Sequence, residues 1–196
     1  PPSKFPAKAT IISIDDNPLK DFMVYQNHKA EHFLEGDPVA ALGLLVDAIG
    51  KAGIDGSKIE QRIARAGKFH DELTVGYQNS IAEAGKSIPI HPITLFDTLG
   101  KTLPEDAIYV DETITHRGLL NRFLRWNDPQ KYFRAPSGLG QGIGVALGIK
   151  LAAPTRPVVA IIGDGSFCYN PVLQAFSLAK DANLPILVIV MNNGKY

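Results

Sequence analysis

The chain has 196 residues, 45% of which are hydrophobic, so it is long enough to bury a core of substantial size. Twenty basic residues balance twenty acidic ones without a long basic run, which argues against binding to nucleic acid or to an anionic membrane surface. The single cysteine, Cys168, excludes an intrachain disulfide, no apolar stretch is long enough to span a bilayer, and the N-terminus lacks a signal-peptide pattern, so we expect a cytoplasmic protein.

The first part of the chain predicts strands followed by helices. Residues 9–16, "ATIISIDD", are typical of a buried strand that ends in a turn, and residues 22–37 contain a candidate second strand. The apolar spacing that follows predicts a helix with Asp37 as its N-cap and Pro38 as its first residue. Residues 57–87 are polar and helix-prone, which indicates a surface helix or a linker.

Pro89 and Pro92 mark a boundary, after which strands and helices alternate. The predicted helices are "ITLFDTLGKTL", "RGLLNRFLRW", "GQGIGVALGIKLA" and "PVLQAFSLAKDA", and the predicted strands are "AIYVDE", "VVAII" and "ILVIVM". This alternation predicts an α/β fold with a parallel sheet flanked by helices. Gly144 and Gly148 are expected to permit tight helix packing. For the last helix we predict Asn170 as the N-cap and a buried face made of Val172, Leu173, Phe176 and Ala179.

Two polar residues stand at the ends of predicted neighbouring strands. Asp164 follows "VVAII" within "GDGSF", and Asn193 follows "ILVIVM" within "NNGKY". Because the carboxyl ends of parallel strands share one edge of the sheet, where ligands bind, these side chains can converge. A carboxylate, an amide oxygen and a backbone carbonyl suit Mg²⁺, with phosphate oxygens completing the octahedron. Gly163 and Gly165 would let the backbone turn sharply around Asp164. Either motif alone is more typical of an ordinary turn.

The ordered pair, "GDGSF" and then "NNGKY" about thirty residues later, resembles the cofactor motif of thiamine-diphosphate-dependent enzymes. Residues 88–196 are similar to most of the diphosphate-binding domain of the acetolactate synthase and benzoylformate decarboxylase group. Residues 1–56 resemble the end of its Rossmann-like central domain, which leaves residues 57–87 as the linker or surface helix. We expect the chain to be a piece of a longer protein, because it stops directly after the second motif.

The resemblance implies a role for each matching residue. The metal ligands would be Asp164, Asn193 and the backbone carbonyl of Lys195. Leu139 would support the bent cofactor, and the backbone carbonyl of Ser137 would face its aminopyrimidine ring. The remaining cofactor contacts would come from Thr113, Ile114, Thr115, His116, Gly163, Gly165, Ser166 and Phe167. The two threonines are also candidates for the N-cap of the helix that follows them.

The resemblance further implies an enzyme that uses thiamine diphosphate and Mg²⁺ on 2-oxo acids, by non-oxidative decarboxylation, carboligation or both. No catalytic residue is assigned here, because the activating glutamate of the group lies in a pyrimidine-binding domain, normally on a partner subunit. The chain alone should therefore be inactive, within a homodimer or homotetramer whose sites lie between subunits. The alternative is a non-catalytic module or remnant that keeps the fold, with or without an affinity for Mg²⁺-diphosphate.

Two other patterns have competing interpretations. The segment "HKAEH", residues 28–32, fits a zinc H-x-x-E-H pattern but lacks a strong third ligand, so an exposed helical face is the better interpretation. Relatives sometimes bind FAD or ADP in the central domain, and Asp15 or Asp16 could lie at such a nucleotide edge. We prefer a turn in which Asp16 or Asn17 caps the next segment.

Overall fold

The computed structural model of the chain describes residues 8–19, 30–124, 126, 128–135 and 138–194. Contacts within the chain define two compact units, Pro1–Phe69 and His70–Tyr196. The division between them falls inside a long helix, and the domain boundaries suggested by the sequence stay predictions.

In the first unit, two short strands pair in parallel. β1 (Ile12–Asp15) and β2 (His32–Glu35) are in register, with Ile12 beside His32. The prediction of a second strand is confirmed. The helical face expected for residues 28–32 is wrong at His32, because this residue begins β2, and His28 lies outside the described residues.

The turn after β1 is closed by Asp15. Its carboxylate accepts a hydrogen bond from the backbone N–H of Asn17 at 3.0 Å, as in an Asx turn. The preference for a turn is therefore supported, although the acceptor is Asp15 and not Asp16 or Asn17. The segment that this turn would cap, residues 20–29, lies outside the described residues.

Helix α1 (Pro38–Ala52) begins where the sequence predicts. The carboxylate of Asp37 accepts hydrogen bonds from the backbone N–H groups of Val39 and Ala40, at 2.7 and 3.3 Å. These N–H groups have no partner within the helix, so the cap satisfies donors that the first turn leaves open. Both the N-cap and the first-turn proline are confirmed.

Helix α2 (Gly56–Ala84) confirms the helix predicted from residue 57 onward. The Asp55 carboxylate accepts hydrogen bonds from the Ser57 hydroxyl and from the backbone N–H groups of Ser57 and Lys58. These bonds, led by that of the hydroxyl, hold the pKa of Asp55 below its ordinary value. Despite the length of α2, no helix in the described part of the chain is both long and apolar enough to cross a membrane.

The second unit is built on a parallel sheet. Its strands are β3 (Ile108–Glu112), β4 (Tyr132–Arg134), β5 (Val158–Gly163) and β6 (Leu187–Met191), in the spatial order β4-β3-β5-β6. The helices after α2 are α3 (Pro92–Thr102), α4 (Arg117–Phe123), α5 (Gly142–Ala152), α6 (Asp164–Tyr169) and α7 (Val172–Asp181). The predicted α/β fold with a parallel sheet flanked by helices is confirmed.

Each face of this sheet carries its own apolar core, because successive strand side chains point to opposite faces. On one face, Ile161 packs in a cluster with Phe96 of α3 and Leu120 of α4. On the other face, Ile162 packs in a cluster with Ile143 of α5. Helices on both faces explain why β5 is a nearly continuous apolar run and why every residue of β3 is buried, its two acids included.

Helix α7 turns a different face to the core from the one predicted. The side chains of Leu173 and Phe176 are 82% and 41% exposed, so their predicted burial is wrong. Ala175 is buried instead, and Val172 and Ala179 pack against the same core cluster. The small Ala175 side chain suits the packing of α7 against α5, whereas the larger apolar side chains lie outside that contact.

The junction between β5 and α7 also differs from the prediction. The chain forms the short helix α6 directly at Asp164, where the sequence predicts only a turn. Gly163 has a φ of −66°, which any residue adopts, so the backbone does not need a glycine to turn there. Asn170 is not the N-cap of α7, because Pro171 holds that position and the Asn170 side chain is bonded elsewhere.

The glycines of α5 do not have the packing role expected of them. Gly144 and Gly148 are exposed, and a Cβ added at either position would meet no atom of the described chain within 4 Å. The expectation of tight helix packing is therefore wrong for this part of the molecule.

Candidate functional site

Three strands of the second unit end side by side at one edge of the sheet. The register places Glu112 beside Ile162, and Gly163 beside Met191. Since neighbouring strands lie about 4.8 Å apart, the residues that follow these positions are held close together. They belong to three segments that the sequence singled out, residues 113–116, 163–166 and 191–193. The carboxyl edge of the sheet is the usual ligand edge in open α/β folds.

These segments surround a cavity of about 350 Å³. Its lining comprises Met191 together with most of the predicted site residues, namely Thr113, Ile114, Thr115, His116, Leu139, Gly163, Asp164, Gly165, Ser166 and Asn193. Leu139 reaches it from the loop before α5, 23 residues after His116, the nearest other lining residue along the chain. The sequence therefore predicted residues that the fold brings together, while their individual roles stay predictions.

Among the predicted site residues that the structure describes, Phe167 is not part of this lining. Phe167 packs against the core cluster shared with α5, so its side chain contributes to the fold and not to the cavity wall. Ser137 and Lys195 lie outside the described residues.

The polar groups of the cavity fit a metal that is shared with phosphate oxygens. Asp164 is half-buried, Asn193 is exposed and Ser166 is buried. Within the described residues, no three His, Cys, Asp or Glu side chains are grouped so that they could hold a metal by themselves. One carboxylate and one amide oxygen suit Mg²⁺, which usually takes one or two protein ligands and completes its shell with phosphate and water.

A buried carboxylate that the sequence did not single out lies beneath residues 113–116, which line the cavity. Asp111 is fully buried, and its Oδ1 accepts hydrogen bonds from the backbone N–H and the hydroxyl of Thr113 at 2.8 and 2.7 Å. Its Oδ2 accepts from Arg117 Nε at 3.2 Å and from the Tyr132 hydroxyl at 2.8 Å. The donor of the Thr113 hydroxyl is thus committed to Asp111. Neither threonine caps α4, whose N-cap is His116.

Tyr132 completes this arrangement from β4, a strand that the sequence did not predict. Its ring stacks on Trp126 with the ring centres 4.4 Å apart and an interplanar angle of 4°. Burial, followed by the hydrogen bond to Asp111 and the charge of that carboxylate, raises the pKa of Tyr132 above its ordinary value. The tyrosine is therefore kept protonated as a donor to Asp111.

Glu112 is the second buried acid missed by the sequence analysis. Its Oε1 accepts hydrogen bonds from the backbone N–H groups of Gly140 and Gln141, at 2.6 and 2.9 Å. Its Oε2 accepts from the backbone N–H of Gly142 and from the side-chain amide of Asn170, both at 2.9 Å. Its partners are 28 to 58 residues away along the chain, so local spacing gives no signal for them. The one signal in the sequence that could have identified Glu112 is the presence of an acidic residue within a strand predicted to be buried.

A larger cavity, of about 470 Å³, lies elsewhere in the second unit. Its lining includes Gly100, Pro104, Tyr109, Trp126 and Lys131, and none of the predicted site residues. We place the candidate site at the smaller cavity, because size alone does not bring together groups that bind phosphate or metal.

Comparisons with known proteins relate this part of the chain to a cofactor-binding domain. Residues 114–196 match the family model described as the C-terminal TPP binding domain of thiamine pyrophosphate enzymes. The chain is 36% identical to benzoylformate decarboxylase of Pseudomonas aeruginosa over 118 residues, which are 60% of this chain and 22% of the relative. It is 26% identical to the acetolactate synthase large subunit of Buchnera aphidicola subsp. Schizaphis graminum over 193 residues, 97% of this chain and 32% of the relative.

One solved structure extends the agreement in fold to the whole chain. An X-ray structure of a candidate thiamin diphosphate-dependent enzyme from Mycobacterium smegmatis aligns with 100% of this chain and 35% of that chain, with a TM-score of 0.66 and 24% identity. At that identity it shows the fold alone. The chain spans between 22% and 35% of the length of these three proteins. The motif resemblance is confirmed: the chain is related to the thiamine-diphosphate-dependent enzymes, and residues 114–196 match their C-terminal cofactor-binding domain.

Proposed function

We propose that this chain is part of a thiamine-diphosphate- and Mg²⁺-dependent enzyme that acts on 2-oxo acids, by non-oxidative decarboxylation, carboligation or both. The observation that carries the proposal is the convergence of Asp164, Asn193, Ser166 and Leu139 on one cavity at the carboxyl edge of the sheet. The family match over residues 114–196 supports the choice of cofactor.

The polar side of the cavity would hold the diphosphate end of the cofactor. The Asp164 carboxylate and the Asn193 amide oxygen would bind Mg²⁺ together with the backbone carbonyl of Lys195, and the metal would neutralise the diphosphate charge. The Ser166 and Thr115 hydroxyls would donate hydrogen bonds to diphosphate oxygens, with charge-assisted strength. The metal ligands would thus come from the ends of β5 and β6, and the phosphate donors from the ends of β3 and β5.

The apolar side of the cavity would hold the organic part of the cofactor. Leu139 and Ile114 are 40% and 76% exposed, and Met191 is buried at the end of β6. Exposed apolar side chains beside a polar cavity suit a ligand that has both a charged and an apolar part. When bound, thiamine diphosphate supplies a nucleophilic carbon and an electron sink for the 2-oxo acid. The residues of this chain would hold that carbon in place and exclude water from it.

The remaining half of the site would come from outside this chain. We propose that an activating glutamate is supplied by a pyrimidine-binding domain, on a partner subunit of a cytoplasmic homodimer or homotetramer. The chain spans 22% of the length of the benzoylformate decarboxylase that it matches, which leaves ample room for such a domain. FAD or ADP binding by the first unit stays a prediction.

The test is calorimetric titration of the complete protein that carries this chain with thiamine diphosphate, in the presence and absence of Mg²⁺. We expect binding that requires Mg²⁺ and that Asp164→Ala abolishes, because one of the metal's charged ligands is lost. Asp181→Ala is the matched control, since Asp181 is exposed at the end of α7. If the wild-type protein is well folded and does not bind thiamine diphosphate, the result would contradict the proposed enzyme function and favour a non-catalytic module. Binding would make a screen of 2-oxo acids the next experiment.

A further inference from the structure

Three walls of the cavity meet at the buried side chain of Glu112, which is 5% exposed. The first wall, residues 113–116, follows Glu112 directly along the chain. The second is the loop that carries Leu139, and its next three backbone N–H groups, from Gly140 to Gly142, donate to the Glu112 carboxylate. The carboxylate therefore ties the end of β3 to the start of α5.

Asn170 connects the third wall to the same point. Its side-chain N–H₂ donates to Glu112 Oε2 and to the backbone carbonyl of Ser166, each at 2.9 Å. Its side-chain oxygen accepts from the backbone N–H of Ile143 at 3.1 Å. Ser166 lines the cavity, and Asn170 is buried. The Glu112–Asn170 pair thus joins β3, α5 and α6 through six hydrogen bonds.

The loop approaches this pair at positions where only glycine fits. A Cβ at Gly142 would lie 2.6 Å from Glu112 Oε2. Gly140 has a φ of +88°, a left-handed conformation that side chains rarely adopt, and a Cβ there would meet the backbone carbonyl oxygen of Tyr169. The close approach is what brings the backbone N–H groups within hydrogen-bonding distance of the carboxylate.

The charge of Glu112 is satisfied by N–H groups. Among the described residues, no basic side chain forms an ion pair with it. Four donors and the N-terminal end of the α5 dipole stabilise the carboxylate. A buried carboxylate that depends on three backbone N–H groups of one loop holds that loop in one place, since any displacement leaves the charge unsatisfied.

We propose that Glu112 is a positioning residue whose carboxylate, with the Asn170 amide, fixes the Leu139 wall of the cavity before a ligand binds. The inference rests on the proposed function, because the ligand in question is the cofactor assigned above. Glu112 itself is not a catalytic residue, as its carboxylate oxygens are fully engaged with N–H donors. Its effect should be greater on the part of a ligand that meets Leu139 than on the part that meets Asp164.

The key variant is Glu112→Gln in the complete protein. The glutamine has the same shape but a single acceptor oxygen, so its N–H₂ must face N–H donors of the loop or of Asn170. Glu105→Gln is the matched control, because the Glu105 side chain is 85% exposed in the same unit. Amide hydrogen exchange without cofactor should become at least about tenfold faster at residues 140–142 in Glu112→Gln and should not change in β5.

Ligand binding is then measured in the presence of Mg²⁺ with each of two probes in turn. One probe is thiamine diphosphate and the other is inorganic diphosphate. In Glu112→Gln, the affinity for thiamine diphosphate should fall at least about tenfold, and that for inorganic diphosphate by less than about threefold. A purely structural defect would lower the affinity for both probes by the same factor. If Glu112→Gln does not fold, Asn170→Ala removes one of the four donors to Glu112, together with the bonds to Ser166 and Ile143, and should still make exchange at residues 140–142 faster.

The outcomes separate this inference from the proposed function. Wild-type protein that does not bind thiamine diphosphate overturns the proposed function and the inference with it. Wild-type binding that is unchanged in the folded Glu112→Gln variant overturns the inference alone. Equal loss for both probes, or unchanged exchange at residues 140–142, also overturns it. Faster exchange at the loop with selective loss of thiamine diphosphate affinity supports it.

Discussion

Tyr132 donates its hydroxyl to the buried Asp111 carboxylate and stacks its ring on Trp126. Tyr132→Phe keeps the stacked ring and removes the hydrogen bond, so we expect a loss of about 1.5 kcal/mol in the free energy of unfolding near neutral pH. The raised pKa of Tyr132 means that, above about pH 10, the unfolded chain loses this proton first, and the contribution to stability declines. The advantage of the wild type should therefore shrink as the pH rises past about 10.

Thermal unfolding of the complete protein at pH 8 and in steps above pH 10 measures this trend. Tyr169→Phe is a suitable control, because the Tyr169 side chain is 58% exposed, and it should leave the pH dependence as it is in the wild type. A difference between wild type and Tyr132→Phe that stays constant across the whole range would contradict the assigned hydrogen bond.

At the scale of single residues, the sequence predicted the groups that stand at strand ends and missed the acids beneath them. Asp164 and Asn193 were identifiable because each directly follows an apolar run within a short motif. Asp111 and Glu112 belong to the run itself, where an acid is equally compatible with a solvent-facing strand end. Their distant partners, Tyr132 for Asp111 and Asn170 for Glu112, are assembled only by the fold.

At the scale of elements, the loop before α5 is the segment in which the structure most restricts the residue type. Gly140→Ala places a side chain at a φ of +88° and against the Tyr169 carbonyl oxygen, so we expect a loss of about 1 to 3 kcal/mol in stability. Gly76→Ala in α2 is the contrasting variant. A Cβ at that position meets nothing within 4 Å, and the change should be neutral or should stabilise by about 0.5 to 1 kcal/mol.

Thermal midpoints of the two variants in the complete protein test this difference, and titration with thiamine diphosphate tests its effect on the site. Gly140→Ala should bind the cofactor more weakly than Gly76→Ala does, because its loop carries Leu139. A Gly140→Ala protein as stable as the wild type would show that the loop has room to rearrange.

The elements themselves were predictable to the extent that local chemistry decides them. The start of α1 follows from the Asp37 cap and from Pro38, both read from adjacent residues. The short α6 was missed because "GDGSFCYN" contains two glycines and is typical of a turn. The buried face of α7 depends on its packing against α5, which selects Ala175 over the more hydrophobic Leu173. Tertiary contact overrides hydrophobicity there.

At the scale of the whole molecule, cofactor and metal should stabilise the complete protein together. A ligand at a hundred times its dissociation constant adds about 2.7 kcal/mol to the stability of the folded state. We expect thiamine diphosphate with Mg²⁺ to raise the thermal midpoint, and removal of Mg²⁺ with EDTA to reverse the rise. Thiamine without its diphosphate should have little effect. A rise that persists in EDTA would contradict the assignment of Asp164 and Asn193 as metal ligands.

The overall architecture was the most predictable level. Alternation of apolar strands and helices between residues 92 and 191 is enough to specify a parallel sheet covered on both faces. Strand β4 escaped prediction because it is only three residues long and is held by distant partners, namely its pairing with β3 and the stacking of Tyr132 on Trp126. The division of contacts inside α2 was equally hidden, since a continuous helix carries no local mark where one unit gives way to the next.

The anchoring of the Leu139 loop by backbone N–H groups has a consequence for how this segment can vary. Glu112 takes hold of atoms that every residue except proline possesses, so the side chain at position 141 is not part of the anchor. Most substitutions at position 141 should therefore be tolerated, in evolution or in a laboratory library, whereas those at positions 112, 140 and 142 should weaken the anchor or destabilise the loop. In a saturation-mutagenesis profile of this loop, position 141 should accept many substitutions and positions 140 and 142 few. The exposed Gln141 is therefore a place to vary the loop without loosening its anchor.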